Sequence, residues 1–596
     1  MPTETAPTPD LSANALRVLQ ARYLLRDAER RVIETPAQLF ERVATAIAQA
    51  ETSFGGSASE WAERFHALLT ARDFVPNSPT LMNAGTALGQ LSACFVLPIE
   101  DTMESIFEAV KQMALVQRTG GGTGFSFSRL RPRGDIVAST GGEASGPVSF
   151  MKIFDCATEN IKQGGKRRGA NMGALAVEHP DILEFIAAKL DGTTLANFNT
   201  SVSVSDAFMQ AVARGETYEL INPRTGRPTG RMEATRVFDA IVDAAWRSGD
   251  PGLLFRDAVN RANPTPALGA IEVTNPCGEV PLLPYESCTL GSINLAHLVR
   301  EESGRAAFDW DRLDAVVADA VRFLDDVIEV NRYPLPQIEQ ATRATRKIGL
   351  GVMGFADALI RLGIGYDSDD AERFAERLMR AVAAAAARAS LALGEARGVF
   401  PAWPRSVYAA RGRRLRNATR TAIAPTGTIG IIAGTSASIE PLFALAYRRT
   451  GVLGGETLVE INPLLERHLQ RCGLDARRVL DAVRERGRLG DVPDVPEDLK
   501  RLFVTALEIP PERHLAIQAA FQRHVDNAVS KTINLPHDAA PRDVARIYRR
   551  AWELGVKGVT VYRYGSKGAQ VLELGVDEAP HQFDHASRCD PEECRI

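Results

Sequence analysis

An α/β fold is predicted for this chain of 596 residues by two features of its pattern and one of its composition. From Asn197 onward, strand-like runs such as NTSVSVS and TYELIN alternate with helical runs such as VFDAIVDAAWRSG. The alternation resumes in KIGLGVMGFADALIRLG and in the helix around Glu372 to Glu395. In TRTAIAPTGTIGIIAG an apolar strand ends at Pro425 and Thr426-Gly427-Thr428 opens a helix. Hydrophobic residues make up 45% and charged residues 24%, the ordinary mix of a soluble globular protein with a large core.

The same figures exclude several classes. A net charge of −4 over this length predicts no bulk attraction to nucleic acid, so any anion binding rests on local clusters such as Lys166-Arg167-Arg168 and Arg411 to Arg420. No apolar run is long enough to span a membrane, and MPTETAPTPDLSANAL lacks the basic start and apolar core of a secretory signal, so a cytoplasmic location is expected. Seven cysteines are too few for a disulfide scaffold at this length and read as thiols, some of them catalytic.

In chain order, residues 1–73 read as a helical domain: apolar residues recur at helical spacing from Leu16 to Ala71, and Thr35-Pro36 has the chemistry of an N-cap followed by proline at the first helical position. Residues 74–570 form the α/β domain. Its first stretch, FVPNSPTLMNAG, reads as loop and leads to Cys94 in a short apolar strand. Asp101-Thr102 starts a helix whose apolar residues Met103, Ile106, Phe107, Val110, Met113 and Ala114 share one face. The glycine run after it, TGGGTGFSFSRLRPRGD, lets backbone approach a ligand but fits neither the dinucleotide nor the P-loop pattern. Gly451 to His514 is charged and helical and reads as an insertion or outer layer. In VTVYRY, Tyr562 and Tyr564 share a strand face. Residues 571–596 are polar, acidic and aperiodic, which predicts a mobile tail carrying Cys589 and Cys594. Two thiols without a second pair make a poor zinc site, and a redox pair on a flexible arm is the better reading.

The most informative stretch is Thr274 to Asn294, TNPCGEVPLLPYESCTLGSIN. Asn275 and Glu279 flank Cys277 at two residues on either side, and Cys288 follows 288 − 277 = 11 residues later. If the segment is extended, amide, thiol and carboxylate point the same way and converge on one small-molecule group. Asn, Pro and Gly are equally the composition of a turn. At 426–428, helix-opening N–H groups suit a phosphate.

The pattern N-x-C-x-E followed by S-C-T-L-G-S-I-N-L resembles the finger loop of ribonucleotide reductase large subunits, and matching features run from about Leu16 to Gln570. The resemblance implies a ten-stranded α/β barrel of two five-stranded halves, with Cys277 on a loop threaded through its middle. It makes Cys277 the thiyl-radical site, Glu279 the base for the 3′-hydroxyl, Asn275 a substrate ligand, and Cys94 with Cys288 the reducing pair that the tail thiols re-reduce. It places Ser78, Gly122 and Pro425 to Thr428 around a ribonucleotide substrate, and Asp101 and Arg131 around a deoxynucleotide or ATP effector. The 103–114 helix is expected to pack against its mate in a homodimer, and the loop Gly164 to Asn171 to communicate between effector and substrate. Where relatives often carry serine before the first cysteine of the pair, this chain has Ala93. Only some 15 residues precede the first helices, so an N-terminal activity-regulating module is not expected.

GVTVYRYGS resembles the adenosylcobalamin-dependent branch of that family, because Arg563 separates the two tyrosines that stand adjacent in subunit-dependent enzymes. No D-x-H-x-x-G motif supplies a histidine to cobalt, so the cofactor is expected to keep its own base, and no protein metal site is predicted. A thioredoxin- or glutaredoxin-like protein is the expected reductant. The alternatives are a large subunit that takes its radical from a separate metal-containing subunit, and a nucleotide sensor on the same fold without turnover.

Overall fold

The computed structural model describes residues 9–137, 140–163, 167–302, 304–453, 456–566 and 572–576. The chain divides into two compact units, one formed by residues 1–443 with 501–570 and the other by 444–500 with 571–596.

The first unit opens with helices α1 (Ala13–Arg22), α2 (Pro36–Ala48) and α3 (Ala58–Thr70). The predicted cap at Thr35 is present as a full capping box: Thr35 accepts from the Gln38 backbone, Gln38 answers to the Thr35 N–H, and Pro36 occupies the first turn. These helices are tied to the barrel by Glu51, which receives Arg322 at 2.6 Å and Arg397 at 2.6 Å although its own side chain is fully buried.

Among the described residues, ten strands make the main sheet. They are β1 (Phe74–Pro76), β2 (Cys94–Val96), β3 (Gly122–Ser126), β4 (Asn171–Ala176), β5 (Phe198–Val204), β6 (Gly252–Phe255), β7 (Ser287–Asn294), β8 (Ile348–Met353), β9 (Thr532–Leu535) and β10 (Gly558–Arg563). Strands β2, β3, β4, β5 and β6 pair in parallel in that order. Strand β6 then meets β10 antiparallel, and β10 runs parallel to β9. On the other side β7 meets β2 antiparallel and β8 in parallel. Two isolated parallel bridges, Leu350↔Thr421 and Ile423↔Val529, carry the ladder from β8 through residues 421–423 to the chain that enters β9. The ring therefore closes as two five-membered parallel halves joined by antiparallel seams, and β1 continues the edge of β2 along β7. The predicted barrel is present. The apolar strand expected to end at Pro425 is reduced to these two bridges.

Parallel strands covered on both faces are nearly all apolar, and here the two faces part cleanly. Phe95, Phe125, Phe127, Phe198 and Val202 join the outer core beneath the helices. Cys94, Val96, Met172, Ala174, Leu290 and Ala422 point into the ring, where they pack on Val273, Val280 and Leu282 of the threaded hairpin.

Three expectations need correction. FVPNSPTLMNAG is not loop: Phe74–Pro76 is β1, and helix α4 (Ser78–Asn83) follows with Asn77 as its N-cap, whose side chain accepts from the Thr80 N–H at 3.0 Å. The stripe on helix α5 (Met103–Arg118) divides: Ile106 and Met113 are buried, whereas Met103 is 53% and Phe107 47% exposed. The segment read as helical from Gly451 lies mostly in the second unit, which begins with a hairpin of strands Ala446–Leu453 and Glu456–Ile461, to which Leu572–Leu574 adds a third strand. Helices Pro463–Arg471 and Ala476–Arg486 supply its small core through Leu465, Leu469, Val479 and Val483.

Candidate active site

The hairpin inside the ring is short. Val273–Thr274 pairs with Pro281–Leu282, and residues 275–280 form the tip. Asn275 closes the turn twice, its backbone N–H donating to Val280 O at 3.2 Å and its side-chain oxygen accepting from Val280 N at 3.0 Å. Gly278 sits at φ +84°, a left-handed conformation that glycine adopts without a steric penalty, and its N–H returns to Asn275 O at 3.1 Å. Tight contact with the wall fixes the hairpin further: a Cβ at Gly124 would lie 1.9 Å from Thr274 O, and one at Gly122 would lie 2.9 Å from the Pro276 ring.

The extended geometry that would align Asn275, Cys277 and Glu279 is therefore absent, and a turn performs the convergence instead. Folding back places Asn275 Nδ2 2.8 Å from Glu279 Oε2 and 3.1 Å from Cys94 Sγ, with Cys94 Sγ 3.9 Å from Glu279 Oε1. The turn reading of NPCG is correct, and the turn itself brings Asn275 and Glu279 together. Cys277 stands at the tip as an exposed thiol in no disulfide, while Cys94 and Cys288 are buried and likewise unbridged. Cys94 and Cys288 are register partners across the β2/β7 seam.

Burial governs the electrostatics. Glu279 is 2% exposed, and loss of water lifts its carboxyl to about 7 against the opposing hydrogen bond from Asn275. Burial likewise pushes the Cys94 thiol well up, reinforced by the negative charge of Glu279 and the neighbouring thiols of Cys288 and Cys277. Cys288 is raised by burial too, with Lys347 acting in the opposite sense. Lys347 is itself fully buried and pairs with Glu286 at 2.5 Å, while Glu286 also accepts from Thr345 and from Leu283 N.

The remaining predicted residues divide between this cluster and other places. Gly122 begins β3 against Pro276. Ser78 is the first residue of α4 and its hydroxyl bonds Tyr23 at 2.7 Å, not a group of the hairpin. Pro425 is exposed, Thr426 adopts φ +51°, and helix α6 (Gly427–Ala433) starts immediately after it, with Gly427 and Thr428 half-buried. The Thr426 hydroxyl is held by Ser438 N at 2.7 Å. Asp101 and Arg131 meet each other: the carboxylate accepts from Arg131 Nε at 2.7 Å and from its backbone N–H at 3.0 Å. Tyr562 lies on β10 and Tyr564 just beyond its end. Cys589 and Cys594, and Gly164 to Lys166 of the predicted communicating loop, lie outside the described residues.

Two contacts to the tip come from residues that the sequence did not mark. Asn199 of β5 donates through Nδ2 to Pro276 O at 2.7 Å, and Ala528 N donates to Glu279 O at 2.8 Å. Neither position carries a local signal, because each acts across the ring. Glu286 and Lys347 were also missed. Glu286 lies only two residues before Cys288, and a carboxylate that close to a buried thiol is the one hint that was available.

A closed ring of two parallel halves, threaded by a cysteine hairpin and carrying a buried thiol pair beside a raised carboxylate, defines a thiol-based redox enzyme. The chain belongs to the ribonucleotide reductase family: the family model described as "Ribonucleotide reductase, barrel domain" matches residues 92–562, and that described as "Ribonucleotide reductase, all-alpha domain" matches residues 9–89. It is 54% identical over 564 residues to the vitamin B12-dependent ribonucleoside-diphosphate reductase of Mycobacterium tuberculosis, covering 94% of this chain and 80% of that protein. It is 49% identical over 625 residues to the protein of the same name from Thermoplasma acidophilum, covering 95% and 81%. Among solved structures it resembles the class Id ribonucleotide reductase alpha subunit of Actinobacillus ureae, with a TM-score of 0.75 over 94% of this chain and 99% of that one. At 23% identity that likeness speaks to the fold.

Proposed function

We propose that this chain is the catalytic chain of an adenosylcobalamin-dependent ribonucleotide reductase that converts ribonucleoside diphosphates to 2′-deoxyribonucleotides. The single observation that carries the reading is the cluster of Asn275, Glu279 and Cys94 at the foot of the Cys277 turn, with Cys288 in register behind it. The two relatives named above, half identical to this chain, are called vitamin B12-dependent, which favours this radical source over a separate metal-containing subunit.

Of the three thiols only Cys277 is exposed, so only it is open to a bulky group docking at the hairpin tip. Adenosylcobalamin, when bound, supplies the one-electron oxidation that turns this thiol into a thiyl radical. Cys277 and Gly278 are the residues the chain would present to it. The thiyl sulfur takes the 3′-hydrogen atom of the ribose. Glu279, which titrates near neutrality, accepts the 3′-hydroxyl proton, while Asn275 orients that hydroxyl. The 2′-hydroxyl leaves as water with a proton from Cys94. Cys288 gives its hydrogen atom to the 2′-carbon and closes a disulfide with the Cys94 thiolate, and the electron released as that bond forms goes to the 3′-carbonyl. Glu279 then returns its proton and Cys277 its hydrogen atom, which regenerates the thiyl. High thiol pKa values suit this role, because both sulfurs stay protonated until the leaving group needs the proton. Substrate and cofactor, when bound, would exclude water from the exposed Cys277 thiol and so protect the radical.

Ser78, Gly122 and Pro425 to Thr428 bind the substrate in this reading, the last group at its phosphates. Asp101 and Arg131 hold a deoxynucleotide or ATP effector, and the exposed Met103 and Phe107 on α5 form part of a homodimer interface. The tail thiols Cys589 and Cys594 pass electrons from a thioredoxin- or glutaredoxin-like protein. The domains are 1–73, 74–570 and 571–596, with 444–500 a compact unit inserted in the sequence of the second and joined by strand Leu572–Leu574 at the start of the third. The site of action is cytoplasmic. Among the described residues no helix is long and apolar enough to cross a membrane.

The test is turnover of purified protein with a ribonucleoside diphosphate, a dithiol and adenosylcobalamin, and no second protein. Deoxynucleotide formed only when the cofactor is present supports the reading. Formation only after a metal-containing subunit is added overturns the radical source.

A further inference from the structure

The hairpin tip is clamped from both halves of the ring. Ala528, which leads into β9 of one half, donates its N–H to Glu279 O at 2.8 Å, and Asn199, on β5 of the other half, donates its side-chain amide to Pro276 O at 2.7 Å. The first contact is backbone to backbone. The second is a single side chain acting on the carbonyl of the peptide that joins Pro276 to Cys277. Strand alternation explains why the amide reaches it: Phe198, Val202 and Val204 face the outer core, so Asn199, Ser201 and Ser203 face inward.

We infer that Asn199 is a positioning residue for Cys277, setting the orientation of the peptide that carries the thiol and hence the distance from its sulfur to the 3′-carbon. The inference rests on the proposed thiyl role of Cys277. Three restraints already fix the base of the turn: the two Asn275 bonds to Val280, and the Gly278 N–H bonded to Asn275 O. They hold residues 275, 278 and 280, and none bonds the Pro276 carbonyl. Pro276 has no N–H of its own, so that carbonyl is its sole backbone hydrogen-bonding group. Hydrogen-atom transfer needs the donor and acceptor close and aligned, and a displacement of about 1 Å costs on the order of 100-fold in rate.

The experiment compares the parent with Asn199→Ala and with Asn199→Asp, which keeps the shape but at neutral pH offers the Pro276 carbonyl an acceptor in place of a donor. Each is assayed as the full chain with adenosylcobalamin, using substrate with hydrogen or deuterium at the 3′-carbon. The thermal midpoint and the rate of Cys277 alkylation by iodoacetamide, without cofactor, are measured alongside. The expected result is a fall in kcat of about 10- to 100-fold in both variants with KM held, a larger 3′-deuterium effect on kcat, an altered alkylation rate and a near-parental midpoint. A loss of kcat with an unchanged deuterium effect assigns Asn199 a general structural role and overturns the inference, as does parental kcat in both variants. Absence of turnover in the parent is the failure of the proposed function instead, and in that case an unchanged alkylation rate in the variants still overturns the positioning of Cys277.

Discussion

Cys94 and Cys288 stand directly opposite each other where β2 and β7 meet antiparallel, although 194 residues separate them in the chain (288 − 94 = 194). Directly opposed residues in such a pair have Cα atoms about 4.5–5.5 Å apart, inside the range that a disulfide bridges without moving the backbone. Turnover without external reductant should therefore leave a Cys94–Cys288 disulfide, seen by peptide mass analysis. Cys288→Ser should yield none and should stop deoxynucleotide formation. Cys277→Ala should stop it as well, while leaving the disulfide pair reduced and the unfolding free energy within about 0.5 kcal/mol of the parent, since the side chain is exposed. Appreciable residual reduction in Cys277→Ala contradicts the thiyl assignment.

Glu279 makes a pH prediction of definite sign. As the base it must be ionised, so kcat/KM should rise with pH through about 7. Stability should move the other way. A carboxyl raised from 4.5 to about 7 by folding favours the native state below its unfolded value, and that advantage is lost as pH rises to about 7; 2.5 pKa units correspond to about 3 kcal/mol. Glu279→Gln, inactive and uncharged, should gain on the parent by roughly that amount at pH 8 and not at pH 4, measured by urea unfolding. Equal stability differences at both pH values would show that the carboxyl is not raised.

For the proposed effector site the Asp101 and Arg131 contact adds detail. Asp101→Ala removes the partner of both the Arg131 guanidinium and its backbone N–H. Basal reduction should persist, and the dependence of substrate choice on deoxynucleotide effectors should flatten, a loss of about 1–3 kcal/mol of coupling. A full effector response in this variant places the effector elsewhere.

Tail chemistry is separable by reductant. Cys589→Ser with Cys594→Ser should remove multiple turnover driven by a thioredoxin-like protein and spare one turnover of pre-reduced enzyme, because the pair it is proposed to serve is buried. Unchanged protein-driven turnover assigns the tail another role.

Much of this protein was legible from local chemistry. Alternating periods announced the α/β class, Thr35 and Pro36 wrote the cap of α2, and Asn275, Pro276 and Gly278 around Cys277 gave the turn that carries the candidate site, since turn propensity and strand period act over a few residues. FVPNSPTLMNAG misled because Asn77, Ser78 and Pro79 suit an N-terminal helical turn as well as a loop, and only the pairing of Phe74–Pro76 with β7 decided between them. What the tertiary structure alone decided are the contacts made across the ring. These are the register that opposes Cys94 to Cys288, the Asn199 amide on the Pro276 carbonyl, and the dry surroundings that bring Glu279 to neutrality. Register and burial are properties of distant strands closing on one another, and no window of neighbouring residues contains them.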